Sequence, residues 1–130
     1  MIKKQASKAI MQYKNFFYLQ LRDNNKNIIY PNKWCFFGGA VKVGENPFLA
    51  LQRELIEELS FKSKKLIFKF EFLNKETNTN IFFYKLNMNK KKNFYVKEGQ
   101  KGEWIKKENL KKLNLAPDVF YFKNEILKIS

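Results

Sequence analysis

The chain has 130 residues, of which 24 are lysine, two arginine, one cysteine and none histidine, and its net charge is +14. That length fits one domain over residues 1–130, and no apolar run approaches the ~20 residues of a membrane span. The missing histidines exclude Ser-His-Asp and Cys-His catalysis and His-ligated zinc, and the lone Cys35 excludes an internal disulfide or a Cys-rich zinc site, so catalysis must rest on carboxylates, lysine, tyrosine or a metal.

From the N-terminus, Lys3 and Lys4 are followed by apolar residues, but Gln12, Tyr13 and Lys14 interrupt the run that a signal peptide needs. No small-residue cleavage site follows, and the chain reads as cytoplasmic. Residues 7–14 and 16–22 read as strands around a turn near Asn15. Asp23 to Asn27 is a polar turn. Trp34-Cys35-Phe36-Phe37 reads as one short buried strand, with Cys35 a small core residue. Gly38-Gly39 marks a sharp bend or a close approach to a ligand. Asn46-Pro47 is a helix start, with Asn at the N-cap and Pro at the first helical position. The helix is expected over residues 47–59, with Phe48, Leu51, Leu55 and Leu59 as its apolar stripe.

Glu54, Glu57 and Glu58 stand at i, i+3 and i+4 of that helix, so their carboxylates crowd one turn. At about 6 Å, and at an effective dielectric of about 20, each pair repels by roughly 3 kcal/mol. With almost no cation nearby in sequence, the natural counter-charge is a divalent metal holding a phosphate. Residues 43–61 contain no lysine, in a chain where lysine is otherwise the commonest charged residue.

Further along, Leu66 to Leu73 alternates, with Leu66, Phe68, Phe70 and Phe72 on one side, as a half-buried strand does. A turn over residues 74–80 and a returning strand over 81–88 complete a hairpin. Residues 89–93 are a charged loop, Glu103-Trp104-Ile105 a short strand and residues 108–113 a short helix. Pro117 starts a C-terminal helix with Val119, Phe122, Ile126 and Ile129 along one side.

The lysine excess, beside abundant Asn, Phe and Ile, reads as a compositional bias more than a nucleic-acid surface, which favours the planar fork of arginine. Nucleic-acid binding is therefore an open but unfavoured reading carried by charge alone. The bias makes Arg22 and Arg53 conspicuous as positions that require a guanidinium.

Gly39, Glu45, Arg53-Glu54-Leu55, Glu57-Glu58 and Phe61 occupy eight specified positions of the Nudix signature at its spacing. Ser60 stands where that signature has glycine, and Phe37 where proline is common. The chain thus resembles the Nudix hydrolases over most of its length. The resemblance implies an α+β fold: an α/β/α sandwich with a mixed, curved sheet between helices. It implies Mg²⁺-dependent (or Mn²⁺-dependent) pyrophosphohydrolysis of a nucleoside diphosphate linked to another group. That group makes the substrate a nucleoside triphosphate, oxidised ones included, or a nucleotide sugar or dinucleotide. A binding module of the same fold for RNA or nucleotides is the alternative of another class. By resemblance, Glu57 and Glu58 are the principal metal ligands, with the Gly39 carbonyl as a further one. Glu54 is an additional ligand or the group that orients and deprotonates water. Arg53 and Glu45 hold loop and helix together. Lys97-Glu98-Gly99-Gln100 and Gly102-Glu103-Trp104 resemble a stretch of the family's bacterial 8-oxo-dGTP pyrophosphohydrolases, in which the counterpart of Glu98 is an extra metal ligand or base. Asn124 stands near a base-reading asparagine of the same relatives. Arg22 is a candidate for a substrate phosphate or carboxylate, or for a structural ion pair with Asp23 or the motif.

Overall fold

Two adjacent apolar segments separated by a tight turn make a hairpin, and here the hairpin opens. β1 (Lys4–Tyr13) and β2 (Phe16–Leu21) pair antiparallel at Gln12↔Phe17 and Tyr13↔Phe16, with Lys14 in the left-handed region at the turn (φ 49). The computed structural model describes residues 3–129, with side chains through residue 125. Beyond the turn the two strands take different partners. β3 (Trp34–Cys35) pairs with β2, and β4 (Phe37–Ala40) pairs with β1. The one strand expected over residues 34–37 is therefore two. Phe36, fully buried, marks the step between them.

β5 (Ile67–Asn74) and β6 (Thr79–Asn87) form the second hairpin, and β7 (Lys101–Lys106) pairs with β2. β6 runs parallel to β1 from Lys4↔Thr79 to Gln12↔Asn87. The result is an unclosed mixed sheet in the order β3-β2-β1-β6-β5, curved, with β4 on β1 and β7 on β2.

Strand alternation sorts the β1 side chains between two cores. Ala9 and Met11 join Leu51, Leu55 and Leu59 of α1 (Pro47–Leu59) on one face, and Ile10 joins Val119 and Phe122 of α2 (Pro117–Ile129) on the other. Helices on both faces give the sandwich. Each fully buried leucine of α1 contributes about 1.5–3 kcal/mol over an exposed one. The side chains of Ile126 and Ile129, expected on the inner side of α2, lie outside the described residues. Among the described residues no helix is long and apolar enough to cross a membrane.

Two further expectations change. The β5 alternation is broken by a bulge between Phe68 and Phe70. Phe68 lies opposite Tyr84, of the α1-side core, while Phe70 stacks on Phe83 of the α2-side core with ring centroids 4.8 Å apart. The extra residue turns Phe68 to the other face, and it is half exposed. The helix expected over 108–113 is a 3₁₀ turn, Lys107–Lys112, anchored by the buried Leu110.

Candidate active site

α1 begins where capping chemistry places it. The Asn46 side chain accepts from the Leu49 N–H, and Pro47 takes the first helical position. It ends at Ser60, which adopts φ 53, ψ 34, and the Ser60 and Phe61 N–H groups donate back to Ile56 and Leu55 carbonyls. The glycine position of the motif is thus a left-handed cap, here filled by serine.

Arg53 organises the acidic face. Its Nε donates to Glu45 Oε2 at 2.7 Å, and one terminal nitrogen donates to Glu45 Oε1 at 3.0 Å and to the Ala40 carbonyl at 2.9 Å. The other reaches Glu54 at 3.0 Å and Glu57 at 3.2 Å. The planar fork of arginine thereby ties β4, the motif loop and α1 to one point. The Arg53 hydrogen bond, helped by the Lys42 N–H, holds the Glu45 carboxyl down at about 2. The expectation of almost no cation near the three carboxylates needs correction: Arg53, on the same helix, supplies counter-charge to two of them.

Glu58 is different. It is buried, and its Oε2 accepts the Gly38 N–H at 3.2 Å. Burial pushes its carboxyl up to about 8; Glu54 and Glu98 add to the rise, while Lys8 and the Gly38 N–H oppose it. Gly39 lies directly over the Glu54 carboxylate, where a Cβ would stand 2.6 Å from its Cδ.

Glu98 arrives from a distant loop that is tied down on both sides. The Gln20 amide donates to the Glu98 carbonyl at 2.7 Å, and the Lys97 N–H donates to the Glu58 carbonyl at 3.1 Å. Gly99 has φ 80 and packs against Gln20, and the Gln100 N–H bonds to the Leu21 carbonyl. The exposed Glu98 side chain therefore stays near enough to Glu58 to raise its pKa.

Two weaker candidates fall elsewhere. Arg22 forms no ion pair among the described residues, with Asp23 or with the motif: its Nε turns to the Ile29 carbonyl at 2.9 Å, closing the loop after β2. It lines a chamber on the α2 side of the sheet. Asn124 is exposed on α2 and is not part of that chamber's wall.

Sequence reasoning missed Lys8 and Asp118. Lys8 Nζ donates to the Phe36 carbonyl at 3.1 Å and lies 3.8 Å from Asp118, whose carboxylate accepts the Phe36 and Val119 N–H groups. A lysine amid Ala6, Ser7, Ala9 and Ile10 of a predicted buried strand was the available signal.

A divalent cation suits this donor set in kind: every candidate ligand is an oxygen, and a buried carboxyl pushed up by its carboxylate neighbours gains from a cation. Among the described residues, no three acidic groups already converge on a single point, since Arg53 draws Glu54 and Glu57 toward itself.

Helices on both faces of an opened mixed sheet, carrying this acidic helix under a glycine strand, make up a Nudix-type fold. The NUDIX domain profile matches residues 9–123, and the chain belongs to the Nudix hydrolase family, whose members act on nucleoside diphosphate-linked substrates and generally use divalent metals. The fold is similar to the solution structure of the E. coli ORF135 protein, at TM-score 0.76 and 21% identity over 99% of this chain and 91% of that one. It is similar to a structure from work on MutT of Aliivibrio salmonicida and Vibrio cholerae, at TM-score 0.76 and 19% identity over 99% of this chain and all of that one. The NUDIX domain of Shewanella oneidensis NrtR, solved with ADP ribose, matches at TM-score 0.80 and 12% identity over 98% and 88% of the two chains. At such identities the likeness is one of fold alone. No curated protein matches the chain.

Proposed function

We propose that the chain, acting as one domain, is a Mg²⁺-dependent (or Mn²⁺-dependent) pyrophosphohydrolase that releases a nucleoside monophosphate, with nucleoside triphosphates, oxidised ones included, as its first substrate class. One observation carries this reading. Glu54, Glu57 and Glu58 are all present, the first two clamped to the motif loop through Arg53 and the third held by the Gly38 N–H, with the side-chain-free Gly39 over Glu54.

Glu57 and Glu58 would hold the cation, joined by Glu54, the Gly39 carbonyl and Glu98. Held there, it supplies Lewis-acid polarisation of a phosphoryl group and lowers the pKa of a bound water. Arg53 occupies one oxygen of Glu54 and fixes its orientation, leaving the other to orient water and take its proton. Glu98, on its docked loop, is the second candidate for that proton. The absence of a Cβ on Gly39 leaves room for the Glu54 carboxylate itself to lie against β4.

A hydrolysis screen over triphosphates, nucleotide sugars, dinucleoside polyphosphates and capped RNA, with and without Mg²⁺, tests the proposal. Nucleotide sugars belong in it because the Shewanella domain was solved with ADP ribose. Glu57→Gln should abolish metal-dependent turnover and leave the fold intact, since its side chain is half exposed. Turnover that survives in that variant defeats the metal assignment.

A further inference from the structure

A second chamber on the α2 side opens at the other end of β1, away from the one that Arg22 lines. Its volume is about 400 Å³, within the size range of small-molecule pockets, and none of its described lining residues belongs to that first chamber or to the acidic face. The floor is apolar. Ile10, Phe17 and Phe122 are buried there, with Phe70 beside them, and the Phe17 and Phe122 rings meet edge to face at 5.2 Å.

Three lysines share the wall, and two of them occupy positions that strand geometry turns inward. Lys85 pairs with Ile10 in the β1–β6 ladder and so lies on the same face, in line with the buried Ile81 and Phe83. Alternation calls for an apolar residue at this position, and a half-buried lysine fills it. Lys69 stands at the β5 bulge. In a regular strand Lys69 and Phe70 would face opposite ways; the bulge brings both to this wall. Lys107 comes from the start of the 3₁₀ turn, where its N–H donates to the Asn15 carbonyl at 2.8 Å. None of the three forms an ion pair among the described residues. Glu125 is the one acid of the described wall, against these three cations. An ammonium drawn toward apolar side chains loses hydration, and an anion brought to it offsets that loss.

We propose that this chamber binds a small carboxylate with an apolar body, the body lying on Phe17, Phe70 and Phe122 and the carboxylate meeting Lys69, Lys85 and Lys107. The site is separate from the hydrolytic one, and its occupancy needs neither metal nor nucleotide. The logic is one of complementarity. A lysine only donates, so the headgroup must accept, and the two oxygens of a carboxylate accept from more than one ammonium. A neutral alcohol of the same length keeps the burial and forgoes the charge-assisted bonds. An alkyl ammonium meets like charge.

Calorimetric titration at constant ionic strength with octanoate, hexanoate, octanol and octylamine tests this. Octanoate should bind at least ~10-fold more tightly than octanol, through the charge-assisted bonds. It should bind several-fold more tightly than hexanoate, through the added methylenes. Octylamine should not bind. Lys69→Met and Lys85→Met keep an unbranched apolar side chain without the charge, and each should weaken octanoate by ~3-fold or more. Lys26→Met removes the same charge from an exposed turn and should leave the affinity unchanged. Amide NMR shifts on addition of octanoate should cluster at Ile10, Phe17, Phe70 and Phe122. Equal affinities for octanoate and octanol overturn the proposal, whether or not any variant folds. A loss in Lys26→Met as large as that in Lys85→Met also overturns it, because the net charge of +14 would then account for the binding. Shifts centred on the acidic face or on the Arg22 chamber do the same.

Discussion

Gly39 and Glu54 occupy the same small volume: a Cβ added to the glycine would stand 2.6 Å from the Glu54 Cδ and 2.6 Å from its Oε1. The obstructing atoms belong to the end of a flexible side chain, so Gly39→Ala can be accommodated by displacing the carboxylate. We expect stability within about 1 kcal/mol of wild type, and a turnover loss of ~10-fold or more, because a misplacement near 1 Å can cost ~10²-fold. Thermal melting beside steady-state kinetics checks it; an active Gly39→Ala would remove Glu54 from the reaction.

The neighbouring glycine responds differently. Gly38 has φ 142, and its Cβ would lie 2.0 Å from the Ser7 carbonyl oxygen, which is backbone and cannot turn aside. Gly38→Ala should therefore destabilise the protein by several kcal/mol, on the order of 3 or more, with failure to accumulate as folded chain as the visible outcome. A folded, stable Gly38→Ala would contradict the paired register of β1 and β4.

The metal-free protein should lose stability as pH rises. The Glu58 carboxyl sits at about 8 in the fold against an ordinary value of 4.5, so between those values the folded state binds more protons than the unfolded state. Stability attached to this group is fully present below about 4.5 and declines as pH climbs through 8, by roughly 5 kcal/mol at most. Glu58→Gln, which imitates the protonated acid, should flatten that decline. Urea denaturation in chelator from pH 5 to 8.5 is the measurement, and a level curve for the wild type refutes the burial argument.

Arg53→Lys keeps the charge and loses the fork. One ammonium cannot reach Glu45, Ala40, Glu54 and Glu57 together, as the guanidinium does. Turnover should fall by ~10-fold or more, with KM less affected than kcat, since the acidic face and the motif loop lose their common anchor. Wild-type kcat in this variant would mean that the clamp is dispensable.

Ser60 holds a left-handed conformation that costs a residue with a Cβ about 1 kcal/mol. Ser60→Gly should raise the melting temperature by about 3–5 °C without altering kcat. No rise, or a fall, would show that the loss of glycine entropy in the folded state outweighs the relief of strain.

The catalytic helix was legible because its signals are local: a cap, a proline and a stripe of leucines, each settled within a turn or two of chain. The Gly39-to-Glu58 spacing was equally legible, being a pattern of residue types. What stayed hidden depends on contacts between distant segments. That residues 34–37 divide between two partner strands follows from the opening of β1 from β2, which no periodicity records. The bulge at Lys69 reverses Phe68 although the sequence alternates without a break. Asp118 carries no signal beyond its place in the first turn of α2, and only the approach of β1 pairs it with Lys8, 110 positions earlier in the chain.

The step at Phe36 has a consequence for how such a protein changes over time. Within three residues the backbone accepts from Lys8 and donates to Asp118 on one face of the sheet, at Phe36, and donates to Glu58 on the other, at Gly38. A substitution that alters the packing around Lys8 and Asp118 shifts this tripeptide and so disturbs the acidic face. Packing on the α2 side and the chemistry of the acidic face are then traits that vary together, and a lineage that remodels one must repair the other in the same few steps.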